Sequence, residues 1–126
     1  MFFKKKEKEI IQLCVTLYKL IVKQARTKAF YSNLKIPDTI DGRFELVVLH
    51  FFFLERVLDK EIKKDQLIYK ELLEIMYKDF DMSLREIGVG DLSVGKKIYQ
   101  MTEAFSGRLF AYRQFNNKKI LIICEK

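Results

Sequence analysis

The sequence predicts an all-α domain: one irregular bundle of about five helices, with a Gly-rich turn between the last two main ones. Three observations carry this reading. Apolar residues recur at i, i+3, i+4 spacing through four long stretches. The chain holds a single proline, so long uninterrupted helices are open to it. Three of its five glycines fall between Leu84 and Lys97, where they mark a shaped turn rather than a slack linker.

The first helix is expected from Glu7 to about Gln24, with Ile10, Leu13, Cys14, Leu17, Ile21 and Gln24 on one face. Lys8, Lys19, Lys23 and Arg26 lie largely outside that stripe. This pattern fits a core helix with a solvated face, or a helix laid on a membrane or ribosome surface. Phe30 to Gly42 reads as a loop. Pro37 fixes its own φ and biases Ile36 away from helix, and Asp38, Thr39 and Asp41 offer oxygens for turn bonds. Asp41 is the expected N-cap of the next helix, and Phe30 and Tyr31 are expected to fold back onto the core.

Arg43 to Leu58 is the expected central helix. It is apolar on nearly all sides, as a helix buried between others must be. Its apolar run is interrupted by His50 and is shorter than the ~20 residues a membrane span needs. Of Phe51-Phe52-Phe53, Phe52 falls nearest Glu45, Arg56 and Asp59, so it is expected on the polar side, as part of an exposed client-binding patch or as ordinary core. A third helix is expected from Asp65 to Asp79, with Leu67, Ile68, Leu72, Ile75 and Met76 at helical spacing.

Ser83 and Glu86 stand in the S-x-x-E spacing of a reciprocal cap, so a short helix is expected there, stopped by Gly88. Asp91 and Ser93 are candidate N-caps for a last helix reaching about Phe115. Val94, Ile98, Met101, Phe105, Leu109 and Tyr112 form its expected buried stripe. Gly107 inside it costs about 1 kcal/mol against alanine, and is expected to let another backbone come close. The tail Ile120 to Cys124 is a short apolar run, ambiguous between strand and helix.

At 126 residues the chain is most simply one domain over 1–126. Its 49% apolar and 33% charged residues are those of a folded chain. Cys14 and Cys124 show no ligand spacing and read as free thiols. The net charge of +7 implies attraction to an anionic surface such as RNA, ribosome or lipid headgroups, with solubility alone as the plain alternative. Residues 1–6 form a basic extension that resembles neither a secretory signal nor a transit peptide.

Catalytic and metal signals are weak. Gly90 to Lys96 matches most of a phosphate-binding P-loop, but Lys97 stands where the magnesium-binding hydroxyl belongs and the preceding residues are not a buried strand. Asp79 to Ser83 imitates a phosphotransfer motif, but at the end of an amphipathic helix. Asp38 with Asp41 is too few ligands for a divalent ion. His50, the single histidine, reads as structural and hydrogen-bonded. No catalytic residue, metal or cofactor is expected.

The stretch Asp81-x-x-Leu84-Arg85-Glu86-x-Gly88-Val89-Gly90-Asp91-Leu92-x-Val94-Gly95-Lys96 resembles the signature of the ubiquinol-cytochrome c chaperone family. A second block agrees: Ala25-Arg26, Phe30-Tyr31, Ile36-Pro37-Asp38-Thr39, Asp41-Gly42-Arg43-Phe44-Glu45-Leu46 and Leu49-His50. A third is Phe105-x-Gly107-Arg108 with Ala111-Tyr112. Together they cover residues 25–112, leaving 116–126 as a shortened C-terminal element.

The resemblance implies a non-enzymatic assembly factor for the cytochrome bc1 complex. It implies nascent cytochrome b as client, a small co-chaperone and the ribosome as further partners, and no DNA. It places the chain in the cytoplasm, peripheral at the inner membrane of a bacterium, or on the matrix side in mitochondrial relatives. The implied partner-binding residues are Pro37, Asp38, Asp41, Arg43, Glu45, Asp81, Arg85, Glu86, Gly88, Gly90, Asp91, Gly95, Lys96, Gly107 and Arg108; helical spacing, not the resemblance, adds Phe52 as an apolar contact. The charged members are expected to gather near one another. The alternative is a basic helical module that binds RNA or the ribosome.

Overall fold

The computed structural model describes residues 5–115. The expected tail element over 116–126 and residues 1–4 of the basic extension lie outside them. Five helices follow one another: α1 (Lys5–Ala25), α2 (Lys28–Asn33), α3 (Ile40–Val57), α4 (Lys63–Glu86) and α5 (Asp91–Phe115). The described residues contain no strand, so the expected all-α bundle is what forms.

Helices α3 and α4 are the central antiparallel pair. Phe44 meets Phe80 edge-on with ring centroids 5.3 Å apart, and Phe51 meets Tyr69 at 6.0 Å. Such edge-to-face aromatic pairs contribute beyond their buried area. Helix α1 lies against both and runs parallel to α4. The Cys14 thiol reaches the Ile68 carbonyl at 3.7 Å, and the Tyr18 phenol donates to Asp79 Oδ2 at 2.7 Å. Helix α5 closes the other side, with Phe105 edge-on to Phe51 at 5.8 Å. The buried stripe of α4 is Ile68, Leu72, Met76, Phe80 and Leu84, one residue per turn. The buried residues of α5 are Val94, Met101, Phe105 and Leu109.

Several boundaries differ from expectation. The stretch expected as a loop from Phe30 opens inside α2, a helix of six residues. Phe30 and Tyr31 do pack, partly buried, on the core. Thr39, not Asp41, caps α3: its hydroxyl accepts from the Gly42 amide at 3.1 Å. The S-x-x-E pair does not open a helix, because Leu84 continues the α4 stripe and carries the helix through Glu86. Gly88 does stop it, with φ +94°, a left-handed conformation that costs glycine nothing. On α1 the buried line is Cys14, Tyr18 and Ala25, whereas Leu13 is 42% exposed.

Candidate functional site

Most of the residues singled out from sequence lie where α3 begins, α4 ends and α5 begins; Phe52, Gly107 and Arg108 lie farther along α3 and α5. At the entry to α3 the chain turns so tightly that a Cβ on Gly42 would lie 1.9 Å from the Pro37 carbonyl oxygen. Glycine is therefore required there. That fold-back lets Arg43 donate Nε to Asp38 at 3.0 Å. Arg26, Tyr31, Asp38 and Arg43 then line one shallow cleft, joining separate stretches of the second block.

Ion pairs join α5 to the second block, through Lys97 just past the signature and Arg108 of the third block, and hold the first block together internally. Lys97 Nζ lies 2.9 Å from Asp41, and Arg108 Nε lies 3.0 Å from Glu45. Arg85 bridges Asp81, at 2.7 Å, and Asp91, and so ties the end of α4 to the start of α5. These carboxylates raise the pKa values of Arg85 and Arg108, so both stay charged. All are solvent-exposed pairs, which set register more than they stabilise. The expected charge cluster is thus a set of separate pairs. Glu86 and Lys96 are exposed and belong to none of them.

Phe52 is not an exposed contact. It is 2% exposed and packs against Tyr112 with ring centroids 5.5 Å apart. Helix α5 covers that side of α3, and Glu45 and Glu55, its polar neighbours, are drawn to Arg108 and Arg113 on α5. Phe53 is the half-exposed ring of the three. His50 is structural as expected, its Nδ1 donating to the Leu46 carbonyl at 2.7 Å.

Among the described residues Gly107 does not admit a neighbouring backbone, since none of their atoms lies within 4 Å of where its Cβ would be. The same is true of Gly90 and Gly95, and neither has a positive φ. Around Gly95 and Gly107, the outer face of α5 carries Leu92, Tyr99 and Phe110, exposed to 92%, 66% and 62%. Residue 110 follows 92 by eighteen positions, five full turns, so these side chains share one line. The sequence reading missed this face. Its signal was Leu92, Tyr99 and Phe110 recurring opposite the buried stripe, interleaved with the exposed Lys96, Glu103 and Ser106.

Elsewhere the described residues hold no group of three or more side chains suited to a metal ion. The suspected phosphotransfer motif, Asp79 to Ser83, lies inside α4, with Asp79 held by Tyr18. The P-loop look-alike is a helix–turn–helix joint.

The fold and site are those of a helical scaffold whose α3 and α5 are laced by ion pairs and whose α5 shows three exposed apolar side chains on its mixed outer face. Residues 32–119 match the family described as ubiquinol-cytochrome C chaperone, and the chain belongs to that family. It is similar to the crystal structure of the Cbp3 homolog from Brucella abortus, with 32% identity and a TM-score of 0.76. The similarity covers 92% of this chain and 65% of that one. No curated protein matches it in sequence.

Proposed function

We propose that this chain is a non-enzymatic chaperone that holds newly made cytochrome b during assembly of the cytochrome bc1 complex. The match of residues 32–119 to the chaperone family carries this reading. The open face of α5 supplies a physical means. Leu92, Tyr99 and Phe110 offer apolar contact, and Gly95 and Gly107 leave room for a client backbone to come close. Each of these glycines costs a helix interior about 1 kcal/mol, and among the described residues no contact calls for either.

The exposed Lys96 and Glu86 flank this region and are assigned to partner contact, with a small co-chaperone as the further partner. Pro37, Asp38, Asp41, Gly42, Arg43, Glu45, Asp81, Arg85, Gly88, Asp91 and Arg108 build the frame that holds α5 in place. The shifted pKa values trace to packing and pairing within the fold. They belong to Cys14 and to tyrosines packed in the core, raised by burial, and to arginines paired with carboxylates.

Crosslinking and pull-down from translating cells tests the proposal. Recovery of cytochrome b with the wild type, and its loss in a Tyr99→Ser/Phe110→Ser variant that melts like the wild type, is the expected result. Failure to recover any cytochrome b segment would sink it. A second reading, an RNA- or ribosome-binding module, is favoured by the exposed lysines of α1, which make none of the ion pairs. Strongly salt-dependent RNA affinity with no cytochrome b capture would select it.

A further inference from the structure

The positive charge of this chain is unevenly neutralised. Arg43, Arg85, Lys97, Arg108 and Arg113 are each paired with an acid. The lysines at the start of α1 and α4 take part in no such pair. Because these two helices run parallel, their first turns lie at the same end of the bundle. There they frame an open groove with Lys6, Lys63 and Lys64 on its rim and Ile10, Leu13 and Leu67 among its lining. Glu9 is its one acid. Leu13 and Leu67 are each 42% exposed, and Ile62, the residue before Lys63, is 49% exposed.

We propose that this groove is a peripheral membrane-docking surface for anionic phospholipid. Phosphate headgroups pair with the lysine ammonium groups, and the aliphatic side chains enter the boundary between headgroups and acyl chains. The chemistry favours lipid over nucleic acid. Lysine keeps its charged head in the polar layer while its stem lies along apolar surface. Aliphatic residues beside lysines are the pattern of a helix lying in a membrane interface. Single-stranded RNA is instead held by aromatic stacking and arginine planes, and the groove lining contains neither residue type. The described helices are too short or too polar to cross a bilayer, so the contact is peripheral. The family resemblance implies a peripheral membrane placement without saying where; this proposal assigns the contact to the groove between the starts of α1 and α4. It uses a different face from α5, so the two can fail separately.

The test is co-sedimentation of the full 126-residue chain with vesicles, without any client. Vesicles of equal parts phosphatidylcholine and phosphatidylglycerol are compared with phosphatidylcholine alone. Binding to the anionic vesicles alone, weakening as salt rises, is expected. The Lys6→Gln/Lys63→Gln/Lys64→Gln variant should partition on the order of 100-fold more weakly. Leu13→Ser/Leu67→Ser should weaken binding while keeping its salt dependence. A control triple, Lys19→Gln/Lys23→Gln/Lys28→Gln, removes the same charge elsewhere and should bind within a few-fold of wild type. Matching melting curves exclude misfolding. Absence of wild-type binding overturns the proposal, as does equal loss in both triples, which would mean net charge alone. It is also overturned if a structured RNA, not the vesicles, is the ligand that the groove variant loses.

Discussion

Arg108 on α5 and Glu45 on α3, 63 positions apart in sequence, meet with Nε 3.1 Å and 3.0 Å from the two carboxylate oxygens. With Lys97 on Asp41 and Arg113 on Glu55, they form three rungs that ascend both helices in the same order. The rungs fix how α5 is rotated on α3, and hence which side of α5 faces outward. Both partners are substantially exposed, so their energy is small. A double-mutant cycle over Arg108→Ala and Glu45→Ala is expected to give a coupling of about 0.5–1 kcal/mol by urea denaturation. A coupling several times larger would show that the pair is a stability element rather than a register device.

The bond from Tyr18 to Asp79 ties α1 to α4 and should contribute more, because it is a hydrogen bond from a buried phenol to a carboxylate. Tyr18→Phe is expected to cost about 1.5 kcal/mol with an unchanged urea m-value. Burial, and then Asp79, raise the Tyr18 pKa above its ordinary 10.0. Burial and Glu55 push Tyr69 up to about 12, and burial raises the Cys14 thiol above 9.0. In each case the unfolded chain ionises first. The stabilisation is complete below the ordinary values and is lost as pH rises through 9.0 and 10.0 towards the folded ones. Melting temperature should therefore fall on the alkaline side, and less steeply in Tyr18→Phe. An identical slope in the two proteins would contradict this.

Glycine substitutions should split by position. Gly42→Ala places a methyl against the Pro37 carbonyl and is expected to destabilise by about 2 kcal/mol or more. Gly88→Ala strains a left-handed residue and should cost about 1 kcal/mol. Gly95→Ala and Gly107→Ala enter open space on a helix and should stabilise by roughly 0.5–1 kcal/mol. Thermal melts of the four variants check the order. If Gly95→Ala and Gly107→Ala stabilise the fold but weaken capture of cytochrome b, their glycines serve the client.

The contrast among these glycines shows what was legible in the sequence. Gly88 could be read because it follows the end of an apolar period. The role of Gly42 could not, because it depends on where the Pro37 carbonyl comes to rest. The long helices were visible in periodicity. Helix α2 was not, since six residues are too few to show a period. The S-x-x-E spacing at Ser83 and Glu86 misled because local cap chemistry lost to Leu84, which extends the buried line of α4 by one more turn. Family-like blocks could be listed in order, but not their partners. Asp41 takes Lys97, outside the signature, while Lys96 inside it is in none of the ion pairs among the described residues.

Phe52 and Phe53 give the sharpest separation of core from surface. Sequence spacing put Phe52 on a polar flank beside Glu45, Arg56 and Asp59, but Glu45 and the neighbouring Glu55 bond to Arg108 and Arg113, and α5 lies over the ring. Phe52→Ser should therefore destabilise by about 3–5 kcal/mol, as large-to-small changes at buried aromatic positions do. Phe53→Ser should cost less than about 1 kcal/mol, since its ring is half in solvent. Neither lies on the outer face of α5. In the crosslinking pull-down, Phe53→Ser should recover cytochrome b as the wild type does, while Phe110→Ser, equally well folded, should not. Phe52→Ser should lose capture only in proportion to its unfolded fraction, and regain it at a lower temperature where it folds. If Phe53→Ser abolished capture and Phe110→Ser did not, the client face would lie on α3 instead, and the glycines of α5 would need another explanation.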